Sequence, residues 1–217
     1  MQCSIRSVQA TSRRKLRRHW RVIDSDPASR GTSSLHCGPD VALRIRHRLH
    51  GRLHYVSKAH LLLDFAYRLA THSSVLDTVS SIIGPDILLW DSTFIIKEPG
   101  DGRKVSWHQD LTYWGLDPDD VVSVWLALSQ ATIESGCMVM IPGSHKGPIA
   151  AHHDSRASDN ILSRGQTIAE PIDESRARHV VLAPGELSLH HGRVWHSSSP
   201  NRSEDRRIAF NAQYLAP

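Results

Sequence analysis

A chain of 217 residues holds one ordinary domain with a real core but not two large ones. With 40% hydrophobic and 22% charged residues it is globular in class, and no apolar run approaches the roughly 20 residues that cross a bilayer. The net charge is +4, and the three cysteines (Cys3, Cys37 and Cys137) form neither a CxxC pair nor a disulfide framework, which suits a reducing, cytoplasmic setting and argues against a cysteine-built zinc site.

Residues 1–47 lack a sustained period. Arg6, Arg13, Arg14, Lys15, Arg17, Arg18 and Arg21 crowd their start, with no acidic residue before Asp24. A solvated basic tail is the plainest reading, ahead of a nucleic-acid or anionic-surface arm and an organellar transit segment. The remainder, 48–217, is nearly neutral and reads as one domain, which argues against nucleic acid as a partner. Within about 57–84, Leu61, Leu62, Phe65, Ala66 and Leu69 recur at helical spacing. Ser74 is then expected to cap a second helix that stops at Gly84-Pro85. Strands are expected at 87–90, 93–96, 121–128, 137–141, 179–182, 186–191, 194–197 and 207–214, separated by turns such as Gly100-Asp101-Gly102, Asp117-Pro118 and Ala183-Pro184-Gly185. Many short strands with Gly/Pro turns indicate a sandwich or barrel. The polar stretch 145–178 is long for a loop and reads as a lid or binding insertion.

Fifteen histidines make a metal site worth seeking. In Trp107-His108-Gln109-Asp110, a strand would project His108 and Asp110 to one face, so that they could take two adjacent positions on a metal. One such pair is common by chance; the downstream run from Pro184 to His196 adds a turn, a strand and a histidine near the strand end. Two histidines and one carboxylate on one face leave three positions open, the pattern of non-haem Fe(II) oxygenases. Eleven residues past His196 stands Arg207, in a strand-like stretch. A cosubstrate with a distal carboxylate needs such a fixed cation, and arginine supplies it through a bidentate fork.

Five blocks, in this order and spacing, resemble the phytanoyl-CoA dioxygenase family: Trp107-His108-Gln109-Asp110, Val124-Trp125-Leu126-Ala127-Leu128, Glu134-Ser135-Gly136-Cys137-Met138, Ile141-Pro142-Gly143-Ser144-His145 and His196-Ser197-Ser198-Ser199-Pro200-Asn201. The resemblance covers roughly 58–215. It implies a mainly β fold with flanking helices, a cupin-like jelly roll or double-stranded β-helix. It also implies a dioxygenase that uses Fe(II), 2-oxoglutarate and O2 to hydroxylate a small-molecule substrate, releasing succinate and CO2. His108, Asp110 and His196 match the family's metal ligands. Arg207 matches the arginine that pairs with the distal carboxylate of 2-oxoglutarate, Ser198 a hydroxyl beside it, and Trp125 a tryptophan lining that pocket. Lys97 lies near another cosubstrate contact.

The spacing to Arg207 and the Ser-Pro-Asn that follows favour His196 over His190 and His191 as the third ligand. His190 shares the face of His196 and is a candidate for the substrate wall, with Tyr113, Trp114 and Gln109; His191 faces away. His145 reads as a turn residue, and His152 and His153 as solvated. The carboxylate of Asp110 favours hydroxylation over halogenation, whose enzymes carry a small residue there. Two alternatives stay open: a cupin-like hydrolase or isomerase with Zn(II) or Mn(II), which leaves Arg207 and Trp125 without a role, and a non-catalytic binding protein, against which the intact constellation argues.

Overall fold

The computed structural model describes residues 55–116 and 120–217. The basic segment 1–47 and the Asp117-Pro118 turn lie outside the described residues. In chain order the elements are β1 (Tyr55–Val56), α1 (Ala59–Leu62), α2 (Asp64–Ala70), α3 (Ser73–Ile83), β2 (Leu88–Lys97), β3 (Val105–His108), α4 (Leu111–Trp114), β4 (Val121–Ala127), β5 (Met138–Met140), β6 (His152–Asp154), β7 (Gln166–Ile168), β8 (Arg178–Val180), β9 (Leu187–His191), β10 (His196–Ser198) and β11 (Arg207–Leu215).

Apart from the β6–β7 pair, the strands form two antiparallel sheets, one in the order β1-β2-β11-β4-β9 and the other β3-β10-β5-β8, and from β2 to β5 and from β8 to β11 the chain alternates between them. That alternation is a jelly roll, as expected. The two faces of the larger sheet carry different chemistry. On its outer face Phe94, Ile96, Val122, Val124, Leu126, Ile208, Phe210 and Tyr214 meet Ala66, Leu69, Val75, Val79 and Ile83 of the helices. Each buried side chain of this kind is worth about 1.5–3 kcal/mol. Phe94 packs its ring 5.0 Å from Phe210 and 5.6 Å from Phe65, and the Tyr214 hydroxyl donates to Ala70 O at 2.7 Å, tying α2 to β11. With helices on one side and the second sheet on the other, every residue of β4 is buried, so its sequence reads as an unbroken run.

Several boundaries differ from the sequence reading, for local reasons. The first helical stretch breaks at Leu63, whose extended backbone (φ −134°) ends α1 and opens α2. The third helix is capped by His72 rather than Ser74: the His72 ring accepts from Ser74 N, and Ser74 is already helical. The two strands expected at 87–90 and 93–96 are one, β2, because polar Asp91 accepts from the backbone N–H groups of Lys58 and Ser92 and so does not break the ladder. A bulge absorbs the irregularity: Gln213 pairs with Asp91, Tyr214 with Leu89, and Trp90 is passed over. The polar stretch at 145–178 contains the β6–β7 hairpin. Among the described residues no helix is long and apolar enough to cross a membrane.

Candidate metal centre

His108 ends β3 and His196 begins β10, and the two are direct cross-strand partners. Each has its Nδ1 against a backbone carbonyl, Ser106 O at 2.8 Å and Val194 O at 2.9 Å respectively. A carbonyl only accepts, so both Nδ1 atoms carry a proton, and Nε2 is the nitrogen that each ring turns to the interior.

Asp110 joins them by a route the strand argument did not foresee. The strand stops at His108, and Asp110 lies in right-handed helical conformation (φ −57°, ψ −42°) at the entry to α4. The turn, not the pleat, swings its carboxylate across the strand end. Gly192 makes the turn fit: a Cβ there would stand 2.7 Å from Leu111 Cγ, and Gly192 O accepts from Leu111 N at 3.0 Å. Asp110 Oδ1 then lies 3.5 Å from His108 Nε2 and 3.6 Å from His196 Nε2. One ligand atom from each of the three residues falls within 4.8 Å of the others. Burial pushes His196 down to about 3, so its ring is neutral at pH 7. Burial pulls Asp110 the other way, but the His196 ring and the contacts of His108 and His190 outweigh it and hold the carboxyl well below its ordinary range. A neutral His196 imidazole beside an ionised Asp110 carboxylate is the protonation state that a divalent metal requires of such ligands.

The same cavity, about 270 Å³, runs from these three residues to Arg207 and Ser198. Arg207 opens β11 opposite Lys97, is 2% exposed, and has its guanidinium carbon 5.4 Å from the Trp125 ring centre. Burial lowers it to about 10, so it stays charged at neutral pH. Its Nε and Nη1 find no hydrogen-bond partner among the described residues. A buried charge left unpaired carries a penalty of several kcal/mol, which a bound carboxylate would remove.

Lys97 stands behind Ser198 rather than in the cavity. Its ammonium donates to Ser198 O at 3.1 Å, to Ser198 Oγ at 2.7 Å and to Ser199 O. Burial and the neighbouring Arg207 push it down to about 6, while three acceptors, which only an ammonium can satisfy, pull against that. Because Ser198 Oγ accepts from Lys97, its own O–H is left to donate. Asn201 and Gly136 fix this loop. Asn201 Nδ2 donates to Lys97 O at 3.0 Å, and Gly136 (φ +72°) admits Ser199 O to where a Cβ would sit.

Tyr113, Trp114, Trp125 and His190 line the cavity, the first with its ring edge-on to His108. Gln109 does not. It is fully buried in a structural tie: Nε2 donates to Arg193 O at 2.8 Å and Oε1 accepts from Ala150 N at 2.7 Å. His152, expected to be solvated, is half-buried and accepts from Gln109 N at 3.2 Å. His191 accepts from Arg193 N at 3.0 Å. Sequence reasoning overlooked Ser123, whose hydroxyl donates to Asp110 Oδ2 at 2.9 Å, and Asn211 and Gln213 in the cavity wall. The signal was available: alternation along β11 places Asn211 and Gln213 on the face of Arg207, and polar residues inside an apolar strand stand out.

The profile of the phytanoyl-CoA dioxygenase (PhyH) family matches residues 42–209. A phytanoyl-CoA dioxygenase domain-containing protein 1 homolog from Caenorhabditis elegans is 34% identical over 163 residues, covering 70% of this chain and 55% of that protein. Among solved structures, the apo form of the non-heme monooxygenase ThoJ superposes with a TM-score of 0.69 at 34% identity, over 82% of this chain and 66% of the other. EvdO2 from Micromonospora carbonacea var. aurantiaca, complexed with 2-oxoglutarate, gives 0.63 at 27% identity, over 75% and 66%. The chain spans little more than half the length of the curated relatives it matches. By the extent of the family match, this chain belongs to the phytanoyl-CoA dioxygenase family.

Proposed function

We propose that the chain is an Fe(II)- and 2-oxoglutarate-dependent oxygenase that hydroxylates a small organic substrate. The observation that carries this reading is the union, in one cavity, of the His108–Asp110–His196 group with the unpaired, buried guanidinium of Arg207. A hydrolytic metal site has no use for the second feature; a dicarboxylate cosubstrate needs both.

In this reading His108 and His196 offer neutral Nε2 atoms to the iron, and Asp110 supplies the single negative charge. Arg207 receives the distal carboxylate of 2-oxoglutarate through its fork. The Ser198 hydroxyl donates to the same carboxylate, held in that orientation by Lys97 behind it. Trp125 covers the guanidinium. Tyr113, Trp114, Ile161 and Leu162 form the apolar wall against which a substrate is oriented and water excluded. When bound, iron with O2 and 2-oxoglutarate supplies the oxidising chemistry, converting 2-oxoglutarate to succinate and CO2 while one oxygen atom enters the substrate.

The test is succinate formation in air. Succinate that requires both Fe(II) and 2-oxoglutarate, and that disappears in Asp110→Ala, supports the proposal. Absence of succinate, or succinate indifferent to iron or to Asp110→Ala, overturns it.

A further inference from the structure

The two oxygens of Asp110 face different surroundings. Oδ1 looks toward His108 Nε2 and His196 Nε2, both on the smaller sheet. Oδ2 looks toward the larger sheet, where it accepts from Ser123 Oγ at 2.9 Å and lies 3.5 Å from His190 Nε2. Ser123 of β4 and His190 of β9 are direct cross-strand partners, so one rung of the ladder carries both groups. Ser123 is fully buried and His190 is 2% exposed.

His190 is not one of the ligand group: the atoms that fall within 4.8 Å of one another belong to His108, Asp110 and His196. Its ring packs 4.9 Å from that of His196. Among the described residues neither ring nitrogen has a hydrogen-bond partner, and the acidic oxygen that Nε2 faces is Asp110 Oδ2 at 3.5 Å. An apolar side chain of similar size would avoid burying those two polar atoms at a cost in stability. The polar neighbour that the ring faces is Asp110.

We infer that His190 and Ser123 are positioning residues that hold Oδ2 of Asp110, so that the carboxylate offers a metal Oδ1 alone. Carboxylates bind metals through one oxygen or two. With Oδ2 engaged by the rung behind it, Asp110 takes one position, and the remaining positions stay available to a two-pronged cosubstrate and O2. Freed from the rung, the carboxylate can turn, and the geometry that the two histidines match is lost. This inference rests on the metal-centre reading above.

The test uses Co(II) alone as the probe, titrated into the metal-free protein without 2-oxoglutarate, in wild type, His190→Leu, His190→Gln, Ser123→Ala and His108→Ala. Loss of outer contacts of this kind weakens metal binding by about 10–100-fold, and that is the loss expected for His190→Leu. His190→Gln, whose amide can donate to Oδ2, is expected to stay within about threefold of wild type, as a variant that keeps a polar group facing the carboxylate. Ser123→Ala is expected to fall between them. A merely space-filling role predicts the reverse order for the two His190 variants, because leucine packs better than glutamine. Should His190→Leu fail to fold, Ser123→Ala and His190→Gln carry the comparison. Wild-type affinity in both His190→Leu and Ser123→Ala, or failure of His190→Gln to restore binding, overturns the inference. His108→Ala separates the two failures: if it abolishes Co(II) binding while the His190 variants do not, only the positioning role falls. If it too leaves binding unchanged, the metal centre falls.

Discussion

Replacing Arg207 with methionine tests the account by making opposite demands on binding and stability. Arg207 is buried with two guanidinium nitrogens unpartnered. If it receives a carboxylate through two charge-assisted bonds at about 1.5–3 kcal/mol each, the variant loses roughly 3–6 kcal/mol of binding, or two to four orders of magnitude. At 2-oxoglutarate one hundred times its dissociation constant, the metal-loaded wild type gains about 2.7 kcal/mol, a rise of about 5–10 °C in unfolding temperature for a domain of this size. At the same concentration a variant weakened one hundredfold gains only about 0.4 kcal/mol, or about 1 °C. Without 2-oxoglutarate the effect inverts. Removing an unpaired buried cation is neutral or stabilising, so Arg207→Met is expected to unfold no lower than wild type. Thermal unfolding of both proteins, with and without 2-oxoglutarate, gives all four numbers. A full ligand-induced shift in the variant refutes the carboxylate role. A variant well below wild type without ligand refutes the claim that the guanidinium waits unpaired.

Three further outcomes follow from the same contacts. Lys97→Met strands two buried acceptors of Ser198 and a part-buried one of Ser199; it is expected to lower stability by about 2 kcal/mol in urea unfolding and to shrink, not abolish, the 2-oxoglutarate shift. Gly136→Ala forces a Cβ onto Ser199 O at a positive φ, so it is expected to weaken 2-oxoglutarate binding at a distance, read by the same shift. Tyr214→Phe removes the bond to Ala70 and is expected to cost about 0.5–1.5 kcal/mol at pH 7. Burial raises the Tyr214 hydroxyl above its ordinary value. The unfolded chain therefore releases a proton near pH 10 that the folded chain keeps, and stability falls as pH rises past 10. That alkaline loss is expected to flatten in Tyr214→Phe.

Much of the architecture was legible because the strands are β-branched and aromatic runs bounded by Gly/Pro turns and the motif blocks keep their order. What escaped was set by contacts distant in sequence. Polar Asp91 looked like a break in β2 because its partner, the backbone of Lys58, is 33 residues away. The pairing of His108 with Asp110 was legible as proximity but not as geometry: the turn that brings them together depends on Gly192 accepting Leu111. Gln109 and Lys97 carry polar groups that suit a ligand equally well, and only the positions of Arg193, Ala150, Ser198 and Ser199 reveal that the protein itself uses them. Ser123 is one hydroxyl in an apolar strand until the opposite sheet supplies Asp110.

The most direct measurement is anaerobic absorption spectroscopy with Fe(II) and 2-oxoglutarate, in wild type, His196→Ala and Arg207→Met. The account predicts the visible charge-transfer band of an iron–2-oxo acid complex in wild type, its loss in His196→Ala, and its appearance in Arg207→Met only at much higher 2-oxoglutarate. A folded, iron-loaded wild type without that band would contradict the oxygenase reading at its centre.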